Sequence, residues 1–117
     1  MAVHYVEPLD HTFHALGDAT RRGMLGLLAE HGECTAGELG KPFDISQPTA
    51  SKHIQVLEKA GLVSRRMTGR VHRFRLESGP MTEAEAWIVR HREFWKASLD
   101  ALEGYLKGLA DKKGGNV

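Results

Sequence analysis

Apolar positions along the chain recur at two periods, and the switch between them divides the sequence. Up to residue 60 the spacing is helical, from 62 to 76 it alternates, and beyond 82 it is helical again. "PLDHTFHALG" predicts a short first helix closed by Gly17. In "DATRRGMLGLLAEHG", Met24, Leu25 and Leu28 share one face, with Asp18 as N-cap and Gly32 as the stop. "TAGELGKPF" opens on Thr35 and carries Glu38 three residues later, a capping-box spacing, and must end before Pro42. The joint "FDI" then leads into a fourth helix over 46–60, stopped by Gly61.

That fourth helix has an unusual first turn, "ISQPTASKH", in which small polar side chains and a proline precede the apolar residues. On a helical wheel Ala50, Ile54 and Leu57 form the core stripe, flanked by Val56 and Ala60. Pro48, Lys52, Gln55 and Lys59 project opposite, with Gln47 and Ser51 on one flank and Thr49 on the other. Ser46 suits the N-cap, and Pro48 loses no hydrogen bond in a turn whose N–H groups lack intrahelical partners. Those N–H groups and the positive end of the helix dipole favour phosphate, while hydroxyls, an amide and Lys52 can reach base edges or backbone. His53 falls within the apolar arc and is read as a structural histidine.

"LVSRRM" and "RVHRFRL", on either side of Thr68-Gly69, have the alternation of a hairpin spanning 63–76. On its second arm His72, Phe74 and Leu76 share one face, and Val71, Arg73 and Arg75 the other. Pro80 is expected to break the chain, and Thr82 with Glu85 to cap a last helix over about 82–109, roughly 40 Å long. The order is four helices, a hairpin and a helix. It predicts a mainly α fold with a β-hairpin wing, a winged helix-turn-helix in one domain, 1–110, with a flexible tail at 111–117. The last helix carries Ala84, Trp87, Ile88, His91, Trp95, Leu99, Leu102, Leu106 and Leu109 near heptad spacing. A stripe of that length exceeds what so small a domain covers, so a second copy is expected against Trp87, Trp95, Leu99, Leu102 and Leu106, with Phe13 and Leu16 of the first helix.

Composition narrows the reading. With 41% hydrophobic and 26% charged residues among 117, the chain is a folded one rather than disordered. No apolar run approaches the roughly 18 residues that span a bilayer, and "MAVHYVEPLD" lacks the basic and apolar regions of a signal peptide. A single cysteine, Cys34, excludes an internal disulfide and suits a reducing cytoplasm. The net charge of +1 conceals segregation: eight bases against two acids give +6 over 41–75, while 1–40 carry −4 and 76–117 carry −1. Such a block attracts a polyanion. Arg65, Arg66, Arg70, Arg73 and Arg75 lie in it with no acid between Glu58 and Glu77, which favours phosphate or narrow minor-groove contacts over mere solubility.

"FHALGDATRRGMLGLL" followed by "ISQPTASKHIQVLEKAGLVSRRMTGRVHRFRL" resembles the ArsR/SmtB family of bacterial winged helix-turn-helix repressors, over about residues 10–76. The resemblance implies homodimers that bind operator DNA over a promoter and block transcription. It also implies that the residues around Gln47, Thr49 and Ser51 enter the major groove while the wing arginines contact backbone or minor groove. Candidate DNA-binding residues are therefore Ser46, Gln47, Pro48, Thr49, Ser51, Lys52, Gln55, Arg66, Arg70, Arg73 and Arg75. Many family members sense metals through paired cysteines in the third helix or through Asp and His on the last, and this chain has neither motif. His11 and His14, with His4 nearby in sequence, are read as surface residues, and no basic residue adjoins Cys34 to lower its pKa. No metal or cofactor is expected, and any effector is unknown.

Two other classes compete. A winged helix can serve protein assembly or RNA contact without operator specificity, though base-reading side chains would then have no purpose. An enzyme would need a nucleophile–base grouping, paired carboxylates or a phosphate-cradling glycine loop, and none is present.

Overall fold

The computed structural model describes residues 7–114. The described residues form five α-helices: α1 (Pro8–Leu16), α2 (Ala19–His31), α3 (Ala36–Gly40), α4 (Gln47–Lys59) and α5 (Gly79–Gly114). Strands β1 (Glu33–Thr35), β2 (Val63–Thr68) and β3 (Val71–Leu76) form an antiparallel sheet of order β1-β3-β2. The expected hairpin is thus two-thirds of a three-stranded sheet. β1 is too short to alternate visibly, and tertiary pairing makes it a strand: Cys34 faces Phe74 across the ladder, both buried.

Helix ends are set largely as the side chains dictate. Asp18 accepts from Arg21 N at 3.1 Å, and Thr35 and Glu38 close a reciprocal capping box. α1 ends differently from expectation. Gly17 has φ −74°, so its left-handed freedom is unused, and side chains from α2 cap the last carbonyls instead. Arg21 donates through Nε to Ala15 O (2.8 Å) and through Nη2 to His14 O (2.9 Å), while Arg22 donates to Leu16 O (2.6 Å). Between α3 and α4 a single 3₁₀ turn, Lys41–Phe43, precedes Asp44 in the left-handed region. A Cβ on Gly40 would stand 2.9 Å from Ala50 Cβ, so only glycine lets the two helices of the helix-turn-helix approach this closely.

Four further expectations are corrected. The hairpin turns at Gly69-Arg70 rather than Thr68-Gly69, since Thr68 still pairs with Val71. Gly69 supplies the positive φ (63°) that a two-residue loop requires in its first position. Pro80 does not break the chain: it lies in the first turn of α5, where its missing N–H is no loss. Thr82 donates its hydroxyl to Ser78 O at 3.0 Å inside that helix rather than capping it with Glu85. α5 also runs five residues past Leu109, through part of the expected tail, and measures about 54 Å at 1.5 Å per residue. Residues 115–117 lie outside the described residues.

The chain divides into two compact units, one to Ala84 and one from Glu85. The first has a single core of Met24, Leu28, Leu39, Ile54, Leu57, Leu62 and Phe74, with smaller neighbours. The second is the remainder of α5. Its described side chains are exposed apart from a half-buried His91, whose ring stacks on Trp87 at 4.0 Å.

Candidate nucleic-acid interface

α4 is split cleanly into two faces. Ala50, Ile54 and Leu57 are buried, while Ser46, Gln47, Pro48, Thr49, Ser51, Lys52, Gln55 and Lys59 are exposed. The burial energy of the apolar stripe fixes the rotation of the helix, and rotation in turn fixes which polar groups face outward. Ser46 is committed to the cap: its hydroxyl accepts from Thr49 N at 3.3 Å and donates to Thr49 Oγ1 at 2.9 Å. Gln47, Ser51, Lys52 and Gln55 have no such local duty, so they form the readable part of the surface.

A second anchor holds α4 from the side. His53 Nδ1 lies 3.3 Å from Arg21 Nη1 and 3.9 Å from Asp18 Oδ2. An arginine only donates, so Nδ1 accepts and the neutral ring carries its hydrogen on Nε2. Arg21 therefore ties the end of α1, the start of α2 and the middle of α4 together, and His53 has the structural role its place on the wheel suggested. The backbone N–H of Arg21, with the Arg21 charge, holds the Asp18 carboxyl below its usual range despite some desolvation. Neither arginine nor its cap was recognisable as a tie from composition. The signal was present in Asp18 and Arg21 at N-cap and N3 next to a helix end.

The sheet also has two faces. Register places Arg66 opposite Arg73, and Arg75 between Ser64 and Glu33, on the side away from the buried Phe74. Like charges directly opposite one another are unfavourable, so the Arg66–Arg73 pair is tolerated rather than stabilising. Arg70 is exposed in the turn. Arg65 lies on the other face with Phe74 and His72, pinned by two hydrogen bonds to Glu58 (2.8 and 3.3 Å) and stacked 5.1 Å from the Phe74 ring centroid. The absence of acids between Glu58 and Glu77 in sequence does not leave the arginines unopposed. Glu33 reaches Arg66 at 3.8 Å and Glu77 reaches Arg75 at 3.6 Å. β1, absent from the expected fold, brings the first of these. Both pairs are solvent-exposed and correspondingly weak.

The structure thus brings the α4 residues together on one exposed face and sets Arg66, Arg73 and Arg75 on the outer face of the sheet, with Arg70 at its tip. Cys34 is buried, and desolvation, followed by the Glu38 charge, raises its thiol pKa. Among the described residues no three His, Cys, Asp or Glu gather as a metal site, and His4 lies outside them. No described helix is long and apolar enough to cross a membrane.

Known proteins share this arrangement. A family model described as a helix-turn-helix domain matches residues 16–66. The transcriptional repressor SdpR of Bacillus subtilis is 31% identical over 81 residues, covering 69% of this chain and 89% of its own. A crystal structure of an ArsR family transcriptional regulator is 41% identical with a TM-score of 0.71, over 81% of this chain and 97% of that one. The homodimeric winged helix-turn-helix DNA-binding domain of a possible ArsR-family regulator from Mycobacterium bovis is 26% identical with a TM-score of 0.58. That match covers 74% of this chain and 82% of the other.

Proposed function

The chain belongs to the ArsR/SmtB family of winged helix-turn-helix transcriptional regulators, and we propose that it is a homodimeric repressor of a pseudo-palindromic operator. As a member of that family it is a DNA-binding regulator of transcription. The observation that carries the finer reading is the division of α4. Its apolar stripe is consumed by the core, and what remains outside is a run of hydroxyl, amide and ammonium groups suited to a major groove. In this reading Gln47, Ser51, Lys52 and Gln55 meet base edges and backbone, with Pro48 and Thr49 in contact beside them. Ser46 holds the helix end near the phosphates. Arg66, Arg70, Arg73 and Arg75 contact backbone or minor groove, and the protein works in the cytoplasm of a bacterial cell.

The second copy follows from α5. Trp95 and Leu99 are about 60% exposed, and Leu102 and Leu106 more than half, along one helix stripe. An isolated helix bearing such a stripe is marginal in water, and a matching stripe on a second chain is its simplest cover. In this reading Trp87 takes part in the pairing, as do Phe13 and Leu16 of α1. Leu16 also packs against the core of its own unit. Two-fold symmetry then spaces the α4 helices by about one DNA turn, roughly 34 Å.

The test is fluorescence anisotropy on a duplex from the gene's own upstream region, set against random duplex and against RNA. Tighter binding to the upstream duplex, at a stoichiometry of two chains per site, is expected. Equal affinity for all three would reduce the protein to a generic polyanion binder, and preference for RNA would replace the reading.

A further inference from the structure

Between α4 and the inner face of the sheet lies a cleft of about 270 Å³, lined by Ser51, Ile54 and Gln55 of α4, Arg65 of β2, and His72 and Phe74 of β3, with Ala36 at one end. We propose that this cleft seats one phosphodiester of the bound duplex, with His72 and Arg65 as DNA-contacting residues. The proposal rests on the DNA-binding reading and adds to it two residues on the opposite side of the sheet from Arg66, Arg73 and Arg75.

The argument is one of donors. His72 Nδ1 is buried and has no hydrogen-bond partner among the described residues. A hydrogen placed there would be an unpaired buried N–H, so the neutral ring carries its hydrogen on Nε2. Nε2 is not among the buried, unpartnered atoms, which leaves it as the accessible nitrogen. Arg65 is fixed by Glu58 through Nε and Nη2, and Nη1 is outside that pair. Ser51 and Gln55 add a hydroxyl and an amide, and no carboxylate lines the cleft. A site bordered by an imidazole N–H, a guanidinium N–H, a hydroxyl and an amide can turn a donor from each toward a ligand that only accepts. A phosphate oxygen is such a ligand.

The duplex, rather than a free anion, is the favoured source. Glu58 already offsets much of the Arg65 charge, so an isolated phosphate gains little. A phosphate delivered by a strand already held at Gln47 and Lys52 gains from the local concentration that this tethering creates. Ser51 and Gln55 belong both to the cleft and to the exposed face of α4, so a strand lying along the helix passes over its mouth.

The test uses the full chain and three variants, His72→Phe, His72→Gln and Arg65→Met, against upstream and random duplexes. H72F keeps the ring volume and removes the donor, and about a tenfold loss on both duplexes is expected, the size of one hydrogen bond to a charged acceptor. H72Q keeps a donor and should retain most of the affinity. R65M should lose affinity and lower the salt slope by less than one, since Glu58 already offsets part of that charge, whereas H72F should leave the slope unchanged. One methylphosphonate position in the duplex should cost the wild type about what H72F costs, with no further loss when the two are combined. Wild-type binding with H72F unchanged, or with H72F and H72Q equally weak, overturns this assignment alone. Failure of the wild type to bind any duplex overturns the function as well. Histidine ¹⁵N shifts during titration with inorganic phosphate supply the other arm: movement at His72 without DNA would give the cleft to a free anion instead.

Discussion

Helix α4 hides its apolar stripe inside its own unit, with Ala50, Ile54 and Leu57 each no more than 2% exposed, whereas α5 leaves Phe94, Trp95 and Leu99 at 60% or more. Both helices are amphipathic, so the difference is one of completion. α4 is finished: the core takes its apolar side, and its remaining surface is polar, rigidly oriented and available to a polar ligand. α5 beyond Glu85 is unfinished, and only another apolar surface removes its side chains from water. One short chain thus presents one surface built for recognition and another that calls for a second copy. In the proposed complex the two surfaces depend on each other through symmetry, because dimer geometry sets the spacing of the two α4 helices on DNA.

The largest effect is therefore expected in α5, outside the proposed DNA surface. Leu99→Glu puts a charge into the α5 stripe without touching the core of the unit that ends at Ala84. Sedimentation should show a monomer. Affinity for the upstream duplex should fall by at least about 100-fold, because the second half-site no longer binds in effectively intramolecular fashion. Circular dichroism and thermal unfolding would show that the winged unit persists. A dimer that survives this substitution would remove α5 from the proposed interface.

Both surfaces were legible in the sequence, for different reasons. The α4 pattern was legible because a 13-residue amphipathic helix with a serine cap and a glycine stop is specified locally, and the structure places each polar residue where the wheel put it. The heptad spacing of α5 was equally plain, but its start was misread. Pro80 is a helix breaker in an interior and an acceptable residue in a first turn, and only the fold decides which applies. What escaped was long-range. β1 exists because Cys34 meets Phe74 some forty residues away, and Glu33 reaches Arg66 only through that pairing. Arg21 and Arg22 looked like surface charge, and their work at the end of α1 depends on where two helices meet. Arg65 and His72 could have been grouped by alternation, since both share a face with Phe74. Their common cleft needed the position of α4.

Arg21 offers a way to disturb α4 without altering its proposed DNA-facing surface. Arg21→Ala removes donors to His14 O, Ala15 O and His53 Nδ1, and should cost about 2 kcal/mol in urea unfolding. Operator affinity should fall with it, because α4 loses its lateral anchor. Arg21→Lys should not restore either value, since one ammonium cannot span three separated acceptors. An unchanged affinity in a destabilised protein would show that the core stripe alone orients α4.

Gln47→Ala tests the finished surface directly and should act on preference more than on strength. Loss of an amide at a base edge is worth about 1–3 kcal/mol at the base pair it reads, and nothing at pairs it does not. Affinities across a set of operators with single substitutions should converge at one position in each half-site. A uniform loss across the set would make Gln47 a backbone contact and shift base reading toward Ser51 and Gln55.

The smallest effect is expected at the tip of the wing, and there the comparison between arginines is more informative than any one of them. Arg70 is exposed in the turn, with no ion pair among the described residues, whereas Arg66 and Arg75 each face a glutamate. If the wing lies against phosphates, Arg70→Ala should weaken specific and random duplexes alike by a few-fold and lower the salt slope by about one. Arg75→Ala should change the slope by less, because Glu77 already offsets part of that charge. Equal affinity and slope for wild type and Arg70→Ala at low salt would take the tip off the DNA, leaving α4, the cleft beside it and the arginines of the outer sheet face as the contact.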